Sequence, residues 1–330
     1  KWHLGTDTQG FDISSSDGLS GEAQHGKSWY GDINVAENLT NRSLKFIEEN
    51  RDKPFFLYLA HWDVHTPWKA REKVVKKYQA KLDAMPLAEV DELKKRIPGY
   101  KKEYVPVYAA MVEAVDTSVK RVVAKVEELG LEKNTIIIFT SDNGGTSISQ
   151  LAPLRGTKGS LFEAGVRVPA CANWTGQIKP DSTSGTPISS VDFLPTLAKL
   201  AGAPLPTKQP VDGTDISPLF FGEQIKERSL FWHYPLYLTG LGLEIKTPDG
   251  KYSWRGFPST SLVRGKYKMI NFLEDQSFAL YDLSKDAAEQ NNIIDAMPEL
   301  AAQLKKELLA WQKSVKAPIP TIPNPECVLK

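Results

Sequence analysis

Thr135-Ile136-Ile137-Ile138-Phe139-Thr140-Ser141-Asp142-Asn143-Gly144-Gly145 is the stretch that decides how this chain folds. Its β-branched run reads as a buried strand, and the polar residues then fall at the strand's C-terminal tip. In open α/β sheets that edge is where ligands bind. Asp142 and Asn143, side by side, offer hard oxygen donors to a divalent cation, and the glycines let backbone approach closely. By itself Asp-Asn-Gly-Gly is also a good turn sequence, so the surrounding blocks must carry the reading.

Working outward, Phe55-Phe56-Leu57-Tyr58-Leu59-Ala60 reads as a second buried strand, with His61-Trp62-Asp63-Val64-His65-Thr66-Pro67-Trp68 at its tip. Two strands then deliver polar groups to one sheet edge, the α/β layout. A helix is expected over 35–49, with Val35, Leu39, Leu44 and Phe46 loosely periodic. Val107, Met111, Val115, Val119, Val122, Val126 and Leu129 recur at helical spacing and stop at Gly130, predicting a helix with one buried stripe and a glycine cap. Residues 166–174 read as a strand, 191–200 as a helix and 204–218 as a proline-rich surface connector. Beyond about Glu227 the pattern changes to short strands over 230–234, 261–264, 267–272 and 278–283. A last helix has Pro298 in its first turn and Leu300, Leu304, Leu308 and Trp311 along one face. The chain is therefore read as residues 1–226, the main α/β region, and residues 227–330, a small α+β region.

Lys+Arg 41 against Asp+Glu 40 gives a net charge of +1, which recruits neither nucleic acid nor an anionic membrane. No apolar stretch approaches a membrane span in length. Two cysteines cannot define a disulfide framework, and Cys171, in an apolar strand-like setting, is expected to be a buried inert thiol. The lysine-rich segment 69–102 is expected to be a solvated helical excursion in preference to a basic rim for a polyanionic sugar.

Four blocks, in order, carry a resemblance: Lys1-Trp2-His3-Leu4-Gly5, His61 to Pro67, Asp142-Asn143-Gly144-Gly145, and Pro153-Leu154-Arg155-Gly156-Thr157-Lys158-Gly159-Ser160-Leu161-Phe162-Glu163-Ala164-Gly165-Val166-Arg167-Val168-Pro169. With Val263-Arg264-Gly265-Lys266-Tyr267-Lys268 and Leu280-Tyr281-Asp282-Leu283 near the C-terminus, the chain resembles the type I, formylglycine-dependent sulfatases (arylsulfatase-like) of the alkaline-phosphatase-like superfamily. The resemblance implies an α/β fold, a mostly parallel sheet sandwiched by helices, with a small C-terminal antiparallel sheet plus helix. It implies hydrolysis of sulfate esters, of a sulfated carbohydrate or an aryl sulfate, and a secreted or periplasmic enzyme.

The family's nucleophile comes from a Cys/Ser-x-Pro-x-Arg motif. Cys171 is followed by Ala172-Asn173-Trp174 and Cys327 by Val328-Leu329-Lys330, so neither fits, and no serine does. The family's paired-aspartate metal motif is missing too. The chain thus looks like the part C-terminal to the nucleophile motif and is expected to be inactive alone, with the upstream segment as its partner.

By the same resemblance Asp142 and Asn143 share a divalent cation with two upstream aspartates. The all-oxygen set favours Ca²⁺, with Mg²⁺ as the alternative. Lys158 contacts a sulfate oxygen, Lys1 links sulfate and nucleophile, His3 takes a proton from the formylglycine hydrate, and His65 protonates the leaving oxygen. Trp68 and His233 are candidate substrate contacts, and His61 is read as structural. Ala164 departs from the family's usual glycine, which matters if that position needs a positive φ. Two other readings stay open: a phosphonate or phosphodiester hydrolase on the same scaffold, and a nucleophile-free fragment that binds sulfated glycans.

Overall fold

The computed structural model describes residues 10–13, 32–239, 245–246, 253–322 and 324–325, so Lys1 and His3 lie outside the described residues. The backbone divides into two compact units, Lys1–Lys94 with Tyr100–Ile137, and Lys95–Gly99 with Ile138–Lys330.

In the first unit, α1 (Val35–Glu49) and α2 (Glu72–Asp83) both pack on α4 (Val105–Glu128), with α3 (Leu87–Arg96) in the connection. The face α1 buries is Val35, Ala36, Thr40, Ser43 and Ile47; of the loosely periodic residues only Val35 belongs to it, and Leu39, Leu44 and Phe46 are half-buried. The reason is close packing. Thr40 and Ser118 bring their hydroxyls to 2.6 Å, so small side chains sit where the helices meet. The helical stripe of residues 107–129 forms α4, and its end follows from local chemistry: Gly130 takes φ +67, its N–H reaches Glu127 O at 2.9 Å and Leu131 N–H reaches Val126 O at 2.9 Å. These two bonds satisfy carbonyls the helix leaves open.

The expected second strand does not form. Residues 55–60 join no sheet among the described residues, and Phe56 and Tyr58 are 59% and 60% exposed. β-propensity alone does not make a strand; a hydrogen-bonding neighbour is needed.

In the second unit, β1 (Ile137–Thr140) pairs with β2 (Ala170–Asn173), and the segment between them carries the short helix α5 (Glu163–Val166). Cys171 is exposed, not buried as expected, because β2 shows solvent on both faces among the described residues. After a 3₁₀ turn at Ser190–Asp192 come α6 (Phe193–Leu200) and α7 (Ser217–Phe220). The proline-rich connector is pinned by one buried carboxylate: Asp192 accepts N–H bonds from Ser189 (2.7 Å) and Thr214 (3.0 Å) and pairs with Arg228.

The remaining elements are β3 (Ser229–Tyr234), β4 (Leu238–Thr239), β5 (Ile245–Lys246), β6 (Ser253–Gly256), β7 (Ser259–Arg264), β8 (Tyr267–Phe272), β9 (Ser277–Asp282) and α8 (Pro298–Ser314). Strands β3-β7-β8-β9 form an antiparallel sheet in that order, and β4-β6-β5 a smaller one that the sequence did not announce. Side chains alternate across the larger sheet. Leu262, Met269 and Leu280 pack against Ala301, Leu304 and Leu308 of α8, while Ile270, Ala279 and Tyr281 pack against Phe162 on the opposite face. Because both faces are covered, β7, β8 and β9 are almost wholly buried. Phe162 thus ties the segment just before α5 to the C-terminal sheet.

Candidate active site

The polar tip of β1 and the glycine-rich segment 153–165 are interlaced by backbone. Gly144 N–H donates to Gly165 O at 3.0 Å, and Lys158 N–H donates to Gly145 O at 2.7 Å. The crossing requires residues without side chains. A Cβ on Gly144 would fall 1.9 Å from Ala164 O, and one on Gly165 would fall 2.1 Å from Ser160 O. Ala164 itself sits in the α5 turn with its methyl buried, and is absent from the residues with positive φ, so the departure from glycine costs nothing there.

Asp142 is exposed, and its carboxylate has no hydrogen bond or ion pair among the described residues. Asn143 is half-buried and donates its side-chain amide to Gly144 O at 3.1 Å, which leaves Oδ1 as the atom it would offer a cation. Two neighbouring oxygen donors fit a share of a hard-cation site and not a complete one. Among the described residues no three His, Cys, Asp or Glu side chains gather as a full metal site would require.

Lys158 is half-buried, and its ammonium likewise has no ion-pair partner among the described residues. Next to it, the fully buried Thr157 hydroxyl has no hydrogen-bond partner there either. Leaving a buried hydroxyl unpaired costs about 1–3 kcal/mol, so this position marks a place where a further polar partner fits. Nothing in the sequence pattern singled out Thr157.

The lysine-rich segment 69–102 behaves differently. Lys76 pairs with Glu72 at 2.6 Å, Lys77 with Glu113 at 2.6 Å, Lys94 with Asp91 at 2.9 Å and Lys102 with Asp83 at 2.9 Å, all with solvent access. These four lysines are solvated and each neutralised by a neighbouring carboxylate.

In the first unit, His65 is half-buried in a turn closed by its own N–H to Trp62 O at 3.0 Å. Its Nδ1 lies 2.9 Å from Thr66 O. A carbonyl only accepts, so Nδ1 carries the hydrogen and Nε2 is the nitrogen at which a proton can be exchanged. Trp68 is packed 5.1 Å from the Tyr104 ring, and its Nε1 is buried without a hydrogen-bond partner among the described residues. Burial lowers His61 to about 4 and keeps the ring neutral. Burial, reinforced by Asp32, raises Asp63 to about 6.

His233, in β3 of the second unit, is engaged at both ring nitrogens: Nδ1 with Thr260 Oγ1 at 2.8 Å and Nε2 with Pro318 O at 3.0 Å. A substrate contact from this ring would require Pro318 to move aside. The structure thus brings Asp142, Asn143 and Lys158 together in one unit with His233, whereas His65 and Trp68 belong to the other.

The family profile described as Sulfatase matches residues 1–203. A second, described as N-sulphoglucosamine sulphohydrolase, C-terminal, matches residues 157–314. A protein named Sulfatase from Formosa agariphila is 33% identical over 287 residues, which is 81% of this chain and 48% of that protein. Arylsulfatase A of Homo sapiens is 32% identical over 273 residues, covering 78% of this chain and 48% of its own. The chain spans about half the length of the curated relatives it matches. Among solved structures, that of Ps i-CgsB in complex with k-i-k-neocarrahexaose aligns with a TM-score of 0.65 at 25% identity, over 84% of this chain and 54% of that one. The α/β fold expected from the resemblance, with its C-terminal antiparallel sheet plus helix, is borne out by these likenesses. With a profile matching more than half its length and a relative one-third identical over four-fifths of it, this chain belongs to the sulfatase family.

Proposed function

We propose that this chain is the C-terminal part of a sulfuric ester hydrolase acting on a sulfated carbohydrate or aryl sulfate. The observation that supports it best is the half-buried Lys158 ammonium, without an ion-pair partner among the described residues, on a segment bonded through the backbone to Gly144 and Gly145, which directly follow Asp142 and Asn143. A cation that no carboxylate among the described residues neutralises suits a tetrahedral anion better than a fold's internal electrostatics. The sulfated carbohydrate is favoured because one structural relative was solved with a neocarrahexaose bound.

In this reading Lys158 holds charge on a sulfate oxygen as the ester bond breaks. The Nε2 of His65 delivers a proton to the departing alkoxide, while its Nδ1–H bond to Thr66 O fixes the tautomer. Asp142 and Asn143 hold a share of a divalent cation, Ca²⁺ before Mg²⁺ by donor type, which when bound neutralises sulfate oxygens. Lys1 and His3 keep the roles the resemblance implies, and the formylglycine nucleophile belongs to an upstream segment. The chain alone is then inactive. Secretion or export to the periplasm belongs to the same proposal, as does a functional division into residues 1–226 and 227–330. Among the described residues no helix is long and apolar enough to cross a membrane.

The test is hydrolysis of 4-nitrophenyl sulfate against bis(4-nitrophenyl) phosphate by the full-length enzyme. Preference for the sulfate, lost on Lys158→Ala, supports the reading. Preference for the phosphodiester would transfer the site to phosphonate or phosphodiester hydrolysis. Tight binding of a sulfated oligosaccharide with turnover of neither substrate would make it a glycan-binding module.

A further inference from the structure

Apart from the residues given roles in the reaction, one buried charge cluster connects the Lys158 segment to the C-terminal sheet. Lys268 on β8 and Glu289 beyond β9 are both 0% exposed, and Glu163, at the start of α5, is 5% exposed. Lys268 Nζ lies 3.0 Å from Glu163 Oε1 and 2.9 Å from Glu289 Oε1. Glu289 Oε2 accepts the Glu163 N–H at 2.6 Å, and the Glu289 carbonyl accepts from Arg155 Nη1 at 3.1 Å. Residue 289 therefore grips both ends of the segment that contains Lys158. Arg155 O accepts the Ala164 N–H at 2.8 Å, which closes that segment into a ring.

Several features of the cluster cost free energy. Three ionisable side chains are withdrawn from water, a penalty that geometry must offset. Burial pushes the Glu289 carboxyl above the usual carboxylate range, and Lys268 pulls it back. Glu289 also adopts φ +52, a conformation seldom taken by residues other than Gly, Asn and Asp. Such strain persists only where the surroundings over-determine it, and it concentrates near functional sites. The sheet has no evident need of the cluster for its own stability, since Leu262, Met269 and Leu280 already form an apolar core with α8 on the other face.

We infer that Lys268 and Glu289 are positioning residues, which use the C-terminal sheet as a mount to fix where the Arg155–Gly165 ring presents Lys158. Their consequence for rate rests on the sulfatase reading; the clamp itself does not. An ammonium held by an exposed loop would sample many positions. One held by a ring bonded at both ends to a buried ion cluster samples few, and a misplacement of about 1 Å can cost roughly 10²-fold in rate.

Two measurements test this on the full-length enzyme. In the first, Glu289→Gln is combined with Lys158→Ala. Glu289→Gln alone should lower kcat/KM on 4-nitrophenyl sulfate by about 10²-fold, yet add little once Lys158 is gone, because it acts through that side chain. Losses that multiply would overturn the inference. In the second, amide hydrogen exchange is followed in Glu289→Gln and in Lys268→Met. Peptides over 155–165 should exchange faster while α8 keeps its protection. Unchanged exchange over 155–165, or equal loss of protection in α8, would overturn the clamp whatever the activity. A wild type inert on sulfate esters whose Glu289→Gln variant still loosens 155–165 would leave the clamp standing and reject the sulfatase reading.

Discussion

The lysines of residues 69–102 and the single Lys158 show two uses of the same side chain. Along residues 69–102 the cations are numerous, and Lys76, Lys77, Lys94 and Lys102 are solvent-exposed and each within 3 Å of a carboxylate. In the glycine-knotted segment Lys158 is half-buried, with no ion-pair partner among the described residues. Density of charge is conspicuous in a sequence, but a charge already neutralised cannot hold a substrate anion. Isolation is the informative property, and isolation is a property of three dimensions.

The largest effect expected from this contrast is on catalysis. Lys158→Ala in the full-length enzyme should lower kcat for an aryl sulfate by about 10²–10³-fold, the usual consequence of removing one preorganised donor. Replacing Lys76, Lys94 and Lys102 together by alanine should leave kcat/KM unchanged. Comparable losses from the two variants, read in one steady-state assay, would erase the distinction.

Next comes the fully buried Asp192, a charge that is both isolated from water and paired. Asp192→Ala strands Arg228 and the amides of residues 189 and 214, and should cost about 3–5 kcal/mol in urea unfolding. A loss below about 1 kcal/mol would place Asp192 with the helix lysines.

Asp63 sharpens the contrast with the opposite sign, because nothing among the described residues compensates its burial. Its folded pKa is raised from 3.8 to about 6, so the folded state binds the extra proton between those values and stability falls as pH rises through that window. Asp63→Asn should therefore be the more stable protein above pH 6. At pH 8 the gain should be about 1–2 kcal/mol, allowing for partial solvent screening, and should vanish near pH 4. Thermal unfolding at both pH values gives the answer, and a variant less stable at pH 8 contradicts it. The smallest effect is that of Lys77→Ala, which should leave the unfolding midpoint unmoved although it removes a 2.6 Å pair; a clear shift would mean that the exposed pairs also hold the helices together.

Local chemistry was legible wherever it acts within a few residues. The stripe of α4 and its stop at Gly130, the strands β3, β7, β8 and β9, and α8 with Pro298 in its first turn follow from side-chain period and backbone freedom. The ordered blocks around Asp142, Asn143, Lys158 and His65 were legible as a family resemblance, which the profile over residues 1–203 bears out. Residues 55–60 were misread because a strand exists only with a neighbour, and Cys171 because its burial depends on what covers β2. That His233 stands opposite Thr260 and engages its hydroxyl is a matter of strand register, which no local pattern announces.

What the sequence by itself determined, then, is the family and most of the helices and strands of the C-terminal region. Period, capping and side-chain chemistry are all encoded within short windows. Only the tertiary structure decided which charges are neutralised and which are isolated, that Gly144 and Gly165 exist to let two backbones cross, and that residues 268 and 289 reach back to residue 163. Contacts between positions more than a hundred residues apart leave no periodic trace, because they are selected by packing in space and not by spacing along the chain.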